Sequence, residues 1–271
     1  MKEFIAGLTE LPGIQEQITD VAGYLWEKGW AESNAGNLSY NITEIVDGIP
    51  MGFDFGELQP LQSRYGHLAD HLILLTATGS RMRNVHKSVY ENSCLVLLNA
   101  EGTGYRQLLK PELESKLKPT SELPSHLAIH NMLVGENRKE KAVVHTHPRY
   151  IIALTHIREF CDQERINNML WGIQPETCVF VHDGIGFIPY LLTGSEAIAD
   201  ATLDALKDHR VLLWEKHGCL AIGETLYDAF DLIDIVEKSI SIFFTCKNAG
   251  YDMEGISLEN LRQLRGHFNL E

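Results

Sequence analysis

Cysteine is scarce in this chain and poorly placed for cross-linking. Five residues, Cys94, Cys161, Cys178, Cys219 and Cys246, make an odd set without a CxxC pair. That excludes a disulfide framework and a cysteine-built zinc site, and it suits a reducing compartment. Positive charge is also short: 23 Lys and Arg stand against 37 Asp and Glu, a formal net charge of −14. Binding along a phosphate backbone needs clustered cations, so no nucleic-acid partner is expected, and an anionic ligand needs a small dedicated pocket. No stretch reaches the ~18 uncharged apolar residues that cross a bilayer, and the opening MKEFIAGLTELPG lacks a basic region followed by a long apolar one. The expectation is a soluble, cytoplasmic protein with no membrane partner. Repeats, low-complexity tracts and linker-like shifts of composition are missing too. What is present is 271 residues with 44% hydrophobic content, enough for a packed core and read as one domain over 1–271.

Periodicity divides the chain into helices and strands. Ile14, Ile18, Val21, Ala22 and Leu25 recur at three- and four-residue spacings, the stripe of an amphipathic helix over 14–30 that stops near Gly29. Further helices are expected over 121–134, 149–156, 195–208 and the long 227–250, where Gly250 provides a stop. The segment 47–61, with MGFDFGEL inside it, reads as an irregular surface excursion. Short β-branched or leucine-rich runs at 72–77, 93–100, 141–147, 177–181, 186–190 and 211–214 read as strands. The alternation predicts an α/β fold. Two strand pairs lie too near in sequence for a helical crossover, at 93–109 around EGTGY and at 177–190 around HDGIG, so antiparallel hairpins are expected within the sheet.

The sharpest chemical feature is AVVHTHPRY. On an extended strand residues i and i+2 share a face, so His145 and His147 project together and two imidazoles can converge on one ion. An equally ordinary reading makes them strand-end histidines bonded to backbone carbonyls. His217, beside Gly218 in a loop after a strand ending at Trp214, is a candidate third ligand. Three neutral imidazoles would leave the charge of a zinc ion uncompensated and one coordination position open, as in catalytic sites. A rival set, Glu122, His126 and His130, lies at i, i+4 and i+8 along one helix face. For the two histidines, packing and hydrogen bonding are the better reading. Glu122 sits at the start of its helix, where Thr120 or Ser121 can cap and Pro124 is tolerated in the first turn. Asn34 to Asn37, Thr76 to Ser80 and Pro119 to Ser121 each have the hydroxyls, amides and small residues of a phosphate cradle, though each alone is an ordinary turn.

Taken in order, LWEKGWAESNAGNLS, EGTGY, PTSELPSH, HTHPRYIIALTH, LWGIQPETCVF, DGIGFIPY, TGSEAIADATLDAL and KHGCLAIGETLYDAFDLIDIVEKS resemble the zinc-dependent class II sugar-phosphate aldolases and epimerases over nearly the whole chain. The resemblance implies a three-layer α-β-α fold around a mixed, largely antiparallel sheet. It implies one Zn²⁺ per subunit on His145, His147 and His217, with Glu122 as catalytic acid/base. Asn34, Asn37, Thr78, Gly79, Thr120 and Ser121 fall in the phosphate-binding segments, and Glu176 matches a glutamate that reaches a neighbouring subunit's site in a homotetramer. One departure is visible: where the family pattern reads TGSG, this chain has Thr76-Ala77-Thr78-Gly79. The implied activity is retro-aldol cleavage of a small sugar phosphate. Its rivals are epimerisation through the same bond-breaking step and a metal-free, adducin-like scaffold, which would be expected to lack a ligand or the acid/base glutamate.

Overall fold

A computed structural model describes residues 13–46, 54–110, 113 and 117–270. The strands form a mixed, mostly antiparallel sheet flanked by helices, the α/β class expected. The described residues group into two compact units, one drawn from 1–144 with 223–227 and the other from 145–222 with 228–271.

In the first unit, helix α1 (Ile14–Glu27) buries Ile14, Ile18, Val21, Ala22 and Leu25, the stripe read from the sequence. Each such large aliphatic side chain contributes about 1.5–3 kcal/mol on leaving water. Gly29, at φ +70°, takes the left-handed turn that ends the helix. The strands are β1 (Asn37–Asn41), β2 (Gln59–Pro60), β3 (Leu72–Thr76), β4 (Ser93–Leu98) and β5 (Gly104–Gln107), ordered β2-β5-β4-β3-β1. Two short helices, α2 (Met82–Val85) and α3 (Val89–Asn92), lie between β3 and β4. The expected hairpin at 93–109 is present, with β4 antiparallel to β5. Helix α4 (Leu123–Gly135) packs Leu123 and Leu127 against Ile73, Leu75, Val96 and Leu98. The excursion over 47–61 needs revision where it is described, because Phe55 bridges Leu108 and Gln59–Pro60 pairs with β5. Residues 47–53 lie outside the described part.

Strand β6 (Ala142–Thr146) supplies its first three residues to this unit and His145 and Thr146 to the second. There follow α5 (Arg149–Leu154), α6 (Gln163–Ile173), α7 (Pro175–Phe180), β7 (Ile185–Ile188), α8 (Glu196–Ala205), β8 (Val211–Trp214), β9 (Gly218–Gly223), the long α9 (Leu226–Asn248) and α10 (Leu258–His267). Strands β9, β8 and β7 are neighbours in that order. β8 runs antiparallel to β9 and parallel to β7, with α8 in the connection between β7 and β8.

One expected strand is a helix. Residues 177–181 fall almost wholly in α7, because Pro175 presets the backbone of its first turn and buried Thr177 meets Ser239 through their hydroxyls at 2.5 Å. The hairpin expected at HDGIG is therefore a turn between helix and strand. Gly184, at φ +72°, carries that turn, and its N–H is accepted by Val181.

Candidate metal centre

His145 occupies the end of β6, a strand buried along its whole length, and the alternation of side chains sends His147 the same way two residues later. His217 comes from the three-residue connection between β8 and β9. Lys216 takes the left-handed conformation there at φ +59°, and the His217 N–H closes the turn onto Trp214 O at 3.1 Å. Gly218 must follow: a Cβ on it would stand 2.5 Å from Thr146 O and 2.8 Å from the His147 ring. Only a glycine lets the backbone pass this close beneath the histidine strand.

The three rings form a nearly equilateral triangle. Centroids are 5.2 Å apart for His145–His147, 5.0 Å for His145–His217 and 5.2 Å for His147–His217, with interplanar angles of 67°, 73° and 64°. One nitrogen from each lies within 4.8 Å of the other two. Tetrahedral zinc would place its nitrogen ligands roughly 3.4 Å apart. The donor chemistry fits as well. His145 Nδ1 donates to Cys219 O at 2.8 Å, which fixes the tautomer and leaves Nε2 with its lone pair. Burial beside His147 and His217 holds this imidazole well below its usual pKa, in the neutral form that a metal ligand requires. The cluster is thus compatible with a divalent cation. Trp214 walls it, its ring 4.6 Å from His145 and 5.1 Å from His217.

In the first unit, Glu122 stands at the N-cap position of α4, one residue later than the predicted helix start. Thr120 Oγ1 accepts the Glu122 N–H at 3.3 Å, and Pro124 lies in the first turn. Asn37 Nδ2 donates to Glu122 Oε2 at 2.9 Å. With Asn37 in that orientation its Oδ1 accepts from His126 Nε2 at 2.5 Å. His126 Nδ1 then accepts from the Ser39 hydroxyl at 2.6 Å, and Ser39 Oγ accepts from His130 Nε2 at 2.8 Å. A buried chain of four side chains therefore ends on the Glu122 carboxylate. Burial, with His126 and His71 nearby, pushes His130 down to about 3, so it is neutral.

Two of the candidate phosphate-cradle segments, at Thr76 and Thr120, are bonded to each other in this unit, and Leu38, the residue after the third, bonds to Thr76. Leu38 N donates to Thr76 Oγ1 at 3.2 Å, Thr120 N to Thr76 O at 3.1 Å and Thr78 N to Lys118 O at 2.8 Å. Asn34, Thr78, Gly79 and Ser121 are exposed, while Asn37 and Thr120 are buried. Glu176 is exposed on α7.

Comparison with known proteins places this arrangement. Residues 16–244 match the model of the class II aldolase and adducin N-terminal domain. The chain belongs to that family. It is 37% identical over 271 residues to the rhamnulose-1-phosphate aldolase of Bacteroides thetaiotaomicron, covering 100% of this chain and 99% of that one. It is 33% identical over 250 residues to the enzyme of the same name from Pectobacterium carotovorum, covering 91% and 90%. Among solved structures, a sugar-phosphate aldolase from Thermotoga maritima superposes with a TM-score of 0.75 at 32% identity, covering 88% of this chain and 97% of that one. Family membership and the histidine cluster together make the protein an enzyme, a lyase of the aldolase type.

Sequence reasoning missed the Cys219 carbonyl and Trp214 beside the three-histidine cluster, and the Ser39 hydroxyl that joins His126 to His130. Only Trp214 left a signal, its place three residues before His217 at the end of an apolar run.

Proposed function

We propose that this protein is a zinc-dependent aldolase that reversibly cleaves L-rhamnulose 1-phosphate to dihydroxyacetone phosphate and L-lactaldehyde, and that residues 1–271 act as one cytoplasmic catalytic domain. The observation that carries the chemistry is the triangle of His145, His147 and His217. The full-length likeness to the Bacteroides aldolase supports the choice of substrate within the coarser class of sugar phosphates.

Cleaving the bond between C3 and C4 leaves an electron pair next to a carbonyl, and a divalent ion, when bound, supplies the positive charge that makes this pair tolerable near neutral pH. His145, His147 and His217 would hold it as uncharged donors and leave a position open to substrate. Glu122 is assigned the proton transfer at C3, with Asn37 fixing the direction of its carboxylate. Asn34, Asn37, Thr78, Gly79, Thr120 and Ser121 are assigned to the phosphate group, where hydroxyls and backbone N–H groups do the work of cations in a chain of net negative charge. Glu176, exposed on α7, is assigned to a neighbouring subunit's site in a homotetramer.

The test is to incubate zinc-loaded protein with a panel of ketose 1-phosphates and follow triose phosphate through a coupled reductase, with and without chelator. Release from rhamnulose 1-phosphate that the chelator abolishes is the expected result. Preference for fuculose 1-phosphate would change the substrate. Epimerisation with little free aldehyde would change the reaction, and neither zinc uptake nor turnover would return the chain to a scaffold role.

A further inference from the structure

The segment that carries His145 and His147 leads to one buried carboxylate that no step above uses. Glu237 lies in the middle of α9 and is only 6% exposed. Its Oε1 accepts the Tyr150 N–H at 3.0 Å and its Oε2 accepts the Ile151 N–H at 2.8 Å. These amides open α5, the helix that follows His147 through Pro148 alone. Pro148 occupies the cap position and provides no side-chain cap, so the carboxylate that serves α5 comes from a different helix, far along the chain. Burying an ionisable carboxylate is expensive, and a two-turn helix of six residues is a small return for it.

We propose that Glu237 is a positioning residue of the metal centre: it anchors the amides three and four residues after His147 and fixes the backbone from which that ring projects. The inference rests on the three-histidine reading. Outer groups that orient ligands typically change metal affinity about 10–100-fold when removed. Glu237→Gln keeps the shape but loses the charge and one of the two acceptor oxygens.

Zinc affinity is measured by competition with a chromophoric chelator for the unaltered protein and for Glu237→Gln, alongside thermal melts and the visible spectra of the cobalt-loaded forms. The expected result is a folded variant that binds zinc about 10–100-fold more weakly with a changed cobalt spectrum. A lower melting temperature with unaltered zinc affinity and spectrum would make Glu237 a helix anchor only and overturn the proposal. Should Glu237→Gln fail to fold, hydrogen exchange on the unaltered protein answers the same question, because coupling is reciprocal. Zinc should slow exchange at the Tyr150 and Ile151 amides, and equal rates with and without zinc would overturn the idea. An unaltered protein that takes up no zinc removes the three-histidine reading itself, which separates that failure from a failure at Glu237.

Discussion

Two groups of histidines occupy the molecule, and they are built on opposite principles. His126 and His130 sit on α4 with their rings bonded into a chain of Ser39 and Asn37, which leaves His126 no ring nitrogen for an ion. His145, His147 and His217 face one another at about the same separations, and what fixes His145 is a backbone carbonyl that takes its Nδ1. Helical spacing and strand spacing each align histidines on one face. What sets the two groups apart is where the nitrogens go: both of those of His126 are spent inside its chain, whereas the Nδ1 bond of His145 leaves its Nε2 lone pair.

The largest effect that sharpens this contrast is at His217. Replacing it with Ala should abolish stoichiometric zinc binding and reduce activity to background, while His126→Ala should retain the metal; elemental analysis of both purified variants decides it. Full zinc in His217→Ala would reverse the roles of the two groups. Next comes Glu122, where the histidine chain ends. Glu122→Gln should lower kcat by about 10²–10⁴-fold with zinc content intact, the range for losing a general acid/base. Unchanged turnover would reduce the chain to a packing device. At His126 the expected loss is one of stability. Its removal leaves Asn37 Oδ1 and the Ser39 hydroxyl short of a partner in a buried place, which costs about 1–3 kcal/mol on denaturant titration.

The parts legible in the sequence share a physical feature, a short-range pattern that maps onto geometry. Period two in AVVHTH gave the shared face of His145 and His147, period 3.6 gave α1, and the Thr-Ser-Glu-Leu-Pro run gave a helix start within a residue or two. Residues 177–181 misled because β-branched composition says how a side chain packs, whereas Pro175 and the contact with Ser239 decided the backbone. The hydrogen bonds that set the two histidine groups apart were hidden for a different reason. Ser39 meets residues 87 and 91 positions away, and Cys219 meets His145 across 74. No local period encodes a bond between a hydroxyl and a ring that meet only after the chain has folded. The strand NLSYN, which carries Ser39 and Asn37, alternates polar and apolar residues as a half-exposed strand would, yet it is buried at every position, so the pattern gives no sign that its polar face is enclosed.

The smallest effect separates the groups by pH rather than by metal. His130 is held neutral down to about pH 3 by burial beside His126 and His71, whereas in the unfolded chain it protonates near its usual ~6.5. Below that value the unfolded state takes up a proton that the folded state refuses, so stability falls as the solution is acidified, by about 1.4 kcal/mol per pH unit from this ring until its folded pKa is reached. Above ~6.5 both states are neutral and the contribution is flat. Denaturant midpoints of the unaltered protein and of His130→Phe, measured from pH 7.5 to 5, should therefore converge on acidification, because the variant lacks the ring that resists its proton. Parallel curves would mean that His130 accepts a proton in place, and the chain through Ser39 would then be a proton store rather than a fixed support for Glu122.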